Sequence, residues 1–306
     1  MTANNHEYHL PVMLDACIEG LNINPDGVYI DVTFGGGGHA RELFSKLSSK
    51  GKLIVFDQDP DAQKNAWEAP NFQFIASNFS FISNHLRILG IKQVDGILAD
   101  FGVSSHQFDA GERGFSIRND APLDMRMNQN NPKSAREVVN EYDQENLMRI
   151  MGAYGEVKSP RKIAEAILLA RQNKTIETTG ELMEVLSSLA PKFKEHKFFA
   201  QVFQGIRIEV NEELKVIETL LLQLQTILKP GGRFVAMSYH SLEDRLVKNF
   251  LKRGSLEGKI EKDFFGNVLK PFNEITRHPV VADEEEVAAN PRARSAKLRI
   301  AERNEQ

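Results

Sequence analysis

The sequence predicts an α/β protein, a doubly wound parallel sheet interrupted by an all-helical insertion, and three observations carry that prediction. Short apolar runs alternate with helical patterns from Val28 to about Asp100. The alternation stops across residues 108–198, where only polar loops and helices are legible. It resumes after Pro230-Gly231-Gly232. Strand, helix, strand at this spacing builds parallel sheets through crossover helices.

The elements follow in order. VYIDVT (28–33) is the first strand and ARELFSKL (40–47) the helix behind it. KLIVFDQD (52–59), a helix in the 60s, FQFIA (72–76), FSFISNHLRIL (79–89) and DGILADF (95–101) continue the pattern. These strands are apolar throughout, as strands covered on both faces must be. In the insertion, SAREVVNEY (134–142), SPRKIAEAILLARQ (159–172) and TGELMEVLSSLA (179–190) are helical. Ser134 with Glu137 spells a capping box, and Thr179 before Glu181 marks a second helix start. Glu212 to Leu228 has amphipathic helical spacing, halted by the proline and glycines that follow. GRFVAMSYH (232–240) is the next strand and LEDRLVKNFLKR (242–253) its helix, with Ser241 and Asp244 placed to cap it. An acidic linker, DEEE (283–286), leads to SAKLRIAER (295–303), an alternating edge strand. The expected division is residues 1–107 with 199–306 as one discontinuous domain and 108–198 as the insertion.

At 306 residues, 41% hydrophobic and 26% charged, the chain has the makings of a packed globular protein. The single cysteine, Cys17, sits in an apolar stretch, expected as a small buried hydrophobe in a reducing compartment. No apolar run approaches the roughly 18–20 residues that span a bilayer, and residues 1–8 lack a signal-peptide core, so a cytoplasmic protein with no membrane partner is expected. A net charge of -4 argues against nonspecific coating of nucleic acid. It leaves local basic clusters: Lys158, Arg161 and Lys162; Lys192, Lys194 and Lys197; Arg292, Arg294, Lys297 and Arg299. One cysteine and eight scattered histidines offer no metal-ligand cluster.

The chemistry concentrates in Asp31-Val-Thr-Phe-Gly35-Gly36-Gly37-Gly38-His39, between the first strand and its helix. Four consecutive glycines allow a ligand to approach the main chain closely. Ligands of open parallel sheets bind beyond the carboxyl ends of the strands, which puts this loop in the site. Asp57 ends the second strand 20 residues after Gly37, where a carboxylate can accept sugar hydroxyls. Gly35-x-Gly37-x-x-Ala40 also satisfies a dinucleotide fingerprint, so a nicotinamide or flavin cofactor stays open here. Asp31 before the glycines suits a ligand's amino group better than a pyrophosphate.

Further along stand Asp100-Phe-Gly-Val-Ser-Ser-His-Gln-Phe-Asp109, Glu112-Arg-Gly-Phe-Ser116, Pro122-Leu-Asp-Met-Arg-Met127, Ser238-Tyr-His-Ser-Leu-Glu-Asp-Arg245 and Asn290-Pro-Arg-Ala-Arg-Ser-Ala-Lys-Leu-Arg299. Together with the glycine loop these strings, running from about His9 to Arg303, resemble the MraW/RsmH family. The resemblance implies a Rossmann-like S-adenosylmethionine methyltransferase sheet with an inserted all-helical substrate-recognition domain. It implies methylation of the exocyclic N4 amine of a cytosine in the decoding region of 16S ribosomal RNA, within a 30S subunit, and it leaves room for a homodimer. By the same resemblance the methyl donor is held by Gly37, Gly38, His39, Asp57, Phe79, Asp100 and Gln107, joined by Asp31 and Gly35 of the loop.

An amine whose lone pair is drawn into a ring needs a hydrogen-bond acceptor beside it. Asp100, Ser104, Ser105 and His240 are the catalytic candidates, although Asp100-Phe-Gly-Val lacks the prolines that amine methyltransferases usually carry at this strand end. A base leaving its stack needs a surface to rest on, for which Phe101, Phe108, Arg113, Phe115 and Tyr239 are available. Two rivals are a non-catalytic RNA-binding assembly factor and a dinucleotide-dependent oxidoreductase.

Overall fold

The structure is a computed structural model that describes residues 11–104, 107, 111–260, 262, 264–266 and 269–305. It divides into two compact units, Met1–Gly102 with Leu214–Gln306, and Val103–Glu213. The strands are β1 (Val28–Asp31), β2 (Lys52–Asp57), β3 (Phe72–Ala76), β4 (Val94–Asp100), β5 (Leu228–Ser238), β6 (Phe272–Glu274) and β7 (Lys297–Arg303). The helices are α1 (Leu14–Gly20), α2 (Gly38–Ser45), α3 (Ile82–Ile88), α4 (Ala135–Glu141), α5 (Gln144–Arg149), α6 (Pro160–Arg171), α7 (Thr179–Leu186), α8 (Glu195–Asn211), α9 (Glu213–Ile227), α10 (Ser241–Arg253) and α11 (Glu284–Ala289).

The strands of the first unit form one sheet in the order β3-β2-β1-β4-β5-β7-β6. Strands β1 to β5 run parallel to one another, whereas β7 runs antiparallel to both β5 and β6. From β1 the chain builds outward to β3 and then crosses back to β4, so the strand order reverses between β1 and β4. A ligand crevice opens at that point in such sheets.

Alternation along each strand sorts two cores. Ile30, Ile54, Ile97, Ala99, Phe234 and Ala236 face one side, packed with Ile82 and Leu86 of α3, Leu220 and Leu224 of α9 and Val247 and Phe250 of α10. Tyr29, Leu53, Val55, Leu98, Val235 and Met237 face the other, against Cys17 and Ile18 of α1 and Ala40 and Leu43 of α2. Each wholly buried aliphatic side chain contributes about 1.5–3 kcal/mol of transfer free energy, which fixes the strand register because a one-residue slip would exchange the two faces.

Several expectations need correction in this unit. The 60s form only a 3-10 turn at Ala62–Asn65, after which Ala66 is extended and Trp67 stacks on Phe72 at 3.9 Å, drawing the chain straight into β3. The segment 297–303 is not an edge: β7 pairs on both sides, and β6 is the outermost strand. The acidic linker is a short helix, α11, whose cap Asp283 accepts the Glu286 amide at 2.8 Å.

The second unit is helical. Its core gathers Val138, Leu147, Ile163, Ile167, Leu182, Leu186, Val202, Phe203 and Ile206 from helices α4 to α8. The Ser134–Glu137 capping box opens α4 as expected, while α7 is capped by Thr178 and Glu181, one residue earlier than expected. The division at 198/199 falls inside α8, which continues unbroken to Asn211. Its Val202, Phe203, Ile206 and Val210 belong to the helical core, which carries the unit's boundary to Glu213.

Candidate active site

Strand register gathers the acids. Asp31 lies opposite Val55 of β2 and Leu98 of β4, and Asp100 lies opposite Met237 of β5. Two residues on from Val55, Leu98 and Met237 come Asp57, Asp100 and Tyr239, so the strand period of two aims all four polar side chains at the α1–α2 side of the sheet, at its carboxyl ends. The apolar residues preceding them bury that face, and the acids mark where the core stops.

Each acid is held by its own turn. Asp31 Oδ1 accepts the Thr33 amide at 3.0 Å, and the Thr33 hydroxyl accepts the Asp100 amide at 2.7 Å, tying the ends of β1 and β4 together. Asp57 Oδ2 accepts the Gly35 amide at 2.8 Å and Oδ1 the Asp59 amide at 2.8 Å, so the second strand's acid anchors the first strand's loop. Gly37 caps α2 with φ 77°, a left-handed conformation natural to glycine, and a Cβ there would stand 2.9 Å from the Phe34 ring. A Cβ on Gly36 would meet nothing within 4 Å, so the loop's outer face is open.

Burial governs the electrostatics. Desolvation raises Asp31 to about 6 against the opposing pull of the Thr33 amide and His39, with Asp100 and Asp57 adding repulsion. Desolvation likewise takes Asp57 to about 6 despite its backbone donors. Asp100 reaches about 7, again by burial first; the Tyr239 phenol, donating to Oδ1 at 2.8 Å, pulls it down and Glu243 pushes it up. His39, 7% exposed, donates Nε2–H to the Val12 carbonyl at 3.0 Å and turns Nδ1 toward Asp100 Oδ2 at 3.9 Å. Burial lowers its pKa, favouring the neutral ring. Three clustered carboxylates held near their ionisation point attract a cation and repel a pyrophosphate.

The MraW methylase family matches residues 6–304. The ribosomal RNA small subunit methyltransferase H of Cytophaga hutchinsonii is 54% identical over 298 residues, spanning 97% of this chain and 99% of that protein. The protein of the same name from Flavobacterium johnsoniae is 54% identical over 297 residues, 97% of this chain and 98% of the relative. The chain belongs to the MraW methylase family. It is a methyltransferase, and the dinucleotide alternative falls with that result.

The remaining predicted residues of this methylase separate by location. Phe79 opens a 3-10 turn after β3, capped by Asn78, with its ring 6.1 Å from that of Phe101. Phe101 is 2% exposed within the sheet core. Arg113 is buried in the helical unit, where it donates to the carbonyls of Arg126 and Met127 at 2.6 and 3.0 Å and lies over the buried Phe115 ring. These three were expected as open stacking surfaces and are instead packing groups, because their faces are consumed by their own cores. Ser104 and Gln107 belong to the second unit and bond each other: the Ser104 amide donates to Gln107 Oε1 at 3.1 Å and the Gln107 amide to Ser104 Oγ at 3.3 Å. Ser105 and Phe108 lie outside the described residues.

The Ser238–Arg245 motif of the methylase is built differently from its expected capping. His240, not Ser241, occupies the cap of α10, and Glu243 accepts the Tyr239 and His240 amides at 2.9 and 3.3 Å. Glu243 also stands 3.1 Å from His240 Nε2. Asp244 lies in the first turn as expected, and it also pairs with Arg299 of β7 at 2.7 Å. Thr33 and Glu243 escaped sequence reasoning. Thr33 had one signal, its place between Asp31 and the glycines.

Proposed function

We propose that this methyltransferase moves a methyl group from S-adenosylmethionine to the exocyclic N4 amine of a cytosine in the decoding region of 16S ribosomal RNA, on an assembled or nearly assembled 30S subunit in the cytoplasm. The substrate reading is supported by relatives at 54% identity whose names specify the small-subunit ribosomal RNA. The donor reading rests on one observation, the three carboxylates of Asp31, Asp57 and Asp100 on one sheet face beside a glycine loop with an open outer surface.

The residues fit the donor. Asp31 suits its ammonium group, and Asp57, whose oxygens retain lone-pair capacity beyond the backbone amides they accept, suits a sugar hydroxyl. Gly35, Gly37, Gly38 and His39 would line the approach, with Phe79 beside the adenine. When bound, the donor supplies a methyl carbon made electrophilic by a sulfonium.

The protein's part is mostly positioning, since in-line displacement requires nucleophile, methyl carbon and leaving sulfur in one line. Asp100, when ionised, accepts a hydrogen bond from the amine, orients its lone pair and takes its proton once the N–C bond has formed. A pKa of about 7 matches that task at neutral pH. Tyr239 fixes which oxygen is free by occupying Oδ1. The base reaches this recess unpaired or turned out of its helix.

Titration calorimetry with S-adenosylmethionine tests the donor site. Asp57→Ala is expected to weaken binding by roughly 10- to 100-fold, the scale of lost hydrogen bonds to a charged group; unchanged affinity refutes the assignment. Asp100→Ala is expected to fold and, even with the donor saturating, to leave small-subunit particles unmethylated.

A further inference from the structure

A costly local structure lies in the second unit, at Pro191-Lys192-Phe193-Lys194. The Lys194 amide donates to the Pro191 carbonyl at 3.0 Å, closing a four-residue turn whose third position, Phe193, has φ 64°. Turns with positive φ at that position take glycine or asparagine, and a bulky side chain there is an outlier. The Phe193 side chain is 97% exposed, so no packing offsets the backbone strain. The conformation is locked locally, because the Phe193 amide donates to Glu195 Oε1 at 3.1 Å at the start of α8. In the free protein both the backbone and the wetted ring are unfavourable, and glycine would relieve both.

The surroundings say what such a ring meets. Lys192, Lys194 and Lys197 are all exposed, and the one acid among them, Glu195, is committed to the Phe193 amide. This positive segment stands on a chain of net charge -4, against the protein's own sign. An aromatic face among ammonium groups matches unpaired nucleic acid, which offers a π-face and a phosphate at every step.

We propose that the 191–194 turn is a contact for single-stranded RNA, in which Phe193 stacks on an unpaired base and Lys192, Lys194 and Lys197 engage the flanking phosphates. The proposal rests on the ribosomal RNA reading above and names a subsite for it. Because every base has a stacking face, the contact positions the strand and does not read its sequence.

The test uses the full chain and a fluorescently labelled fragment of small-subunit ribosomal RNA containing an unpaired loop, titrated by anisotropy over a salt series. Phe193→Gly is expected to melt roughly 2–4 °C higher as the strain is released, yet to bind the fragment about 5- to 100-fold more weakly with an unchanged salt slope. Phe193→Tyr is expected to retain binding. The triple variant Lys192→Ala, Lys194→Ala, Lys197→Ala is expected to reduce the slope of log affinity against log salt by about 2, at about 0.7 per phosphate contact on a single strand. All variants are expected to keep their affinity for S-adenosylmethionine. Equal RNA affinity for Phe193→Gly and the natural chain overturns the subsite and leaves the ribosomal RNA reading standing. Loss of self-association in Phe193→Gly without loss of RNA binding also overturns it, assigning the ring to a second copy. A natural chain that does not bind the fragment overturns the subsite, whereas the ribosomal RNA reading concerns the assembled subunit and falls only if small-subunit particles are neither bound nor methylated.

Discussion

The phenol of Tyr239 donates to Oδ1 of Asp100 at 2.8 Å, joining the residue just past β5 to the last residue of β4. This hydrogen bond opposes the burial that raises Asp100 to about 7. Tyr239→Phe removes a hydrogen bond that favours the ionised acid, so Asp100 ionises at higher pH. The acid limb of the kcat profile is expected to move up by about one unit, the scale of a hydrogen bond to a charged group. Turnover at pH 7 falls several-fold and recovers toward pH 9, with donor affinity near that of the natural chain. A stationary limb shows that another group titrates.

The clustered acids make stability depend on pH. Asp31 and Asp57 at about 6 and Asp100 at about 7 all lie above the ordinary aspartate value of 3.8. Between about pH 4 and 7 the folded chain therefore holds more protons than the unfolded chain, and these groups subtract stability as pH rises. For Asp31, 2% exposed, the shift corresponds to about 3 kcal/mol. Asp31→Asn is expected to match the natural chain near pH 4 and exceed it in stability at pH 8, measured by urea denaturation. Binding of a cationic donor at pH 6 is expected to release protons, detected as a calorimetric heat that varies with the buffer's ionisation enthalpy.

Two neighbouring glycines separate strain from space. Gly37→Ala forces a Cβ into a left-handed φ of 77° and to within 2.9 Å of the Phe34 ring, and is expected to destabilise by about 1–2 kcal/mol. At Gly36 a Cβ meets no protein atom within 4 Å, so Gly36→Ala is expected to melt normally. If the donor lies over this loop, Gly36→Ala nonetheless weakens its binding. Normal melting with normal affinity moves the donor elsewhere.

Arg299 and Asp244 form a pair at 2.7 Å in which both residues are buried, at 6% and 8% exposure. Burial acts to raise Asp244, but the hydrogen bond and charge of Arg299 and the charge of Lys297 outweigh it and hold the acid below its ordinary range. A depressed acid stabilises above its unfolded pKa and loses that contribution as pH falls. Arg299→Ala is expected to cost about 3 kcal/mol at pH 7, from a buried carboxylate left with only the half-exposed Lys297 at 3.5 Å. The cost shrinks below about pH 4, as urea midpoints at the two pH values would reveal.

The acids of the crevice were legible because each one ends an apolar run: Asp31, Asp57 and Asp100 interrupt a pattern that burial on both faces enforces, and an interruption at a strand's carboxyl end is a functional position. The partner of Asp100 was not legible, since Tyr239 lies 139 residues away and only strand pairing brings it near. Phe101, Arg113 and Phe115 were misjudged for the same reason in reverse. An aromatic or guanidinium beside a polar motif reads as available, and only packing reveals that its faces are taken.

Local chemistry thus settled what lay within a few residues: the alternating strands and helices, the Ser134 cap, the glycine loop and the acids that flank it. Those features depend on backbone preferences and on side-chain periodicity, which act over single turns and strands. Tertiary structure decided what required distant segments to meet, namely the strand order that aims Asp31, Asp57, Asp100 and Tyr239 at one face, the interior place of β7, and the ion pair of Asp244 with Arg299. Hydrogen bonding between strands and desolvation among packed side chains depend on neighbours in space, and chain order carries no direct record of those.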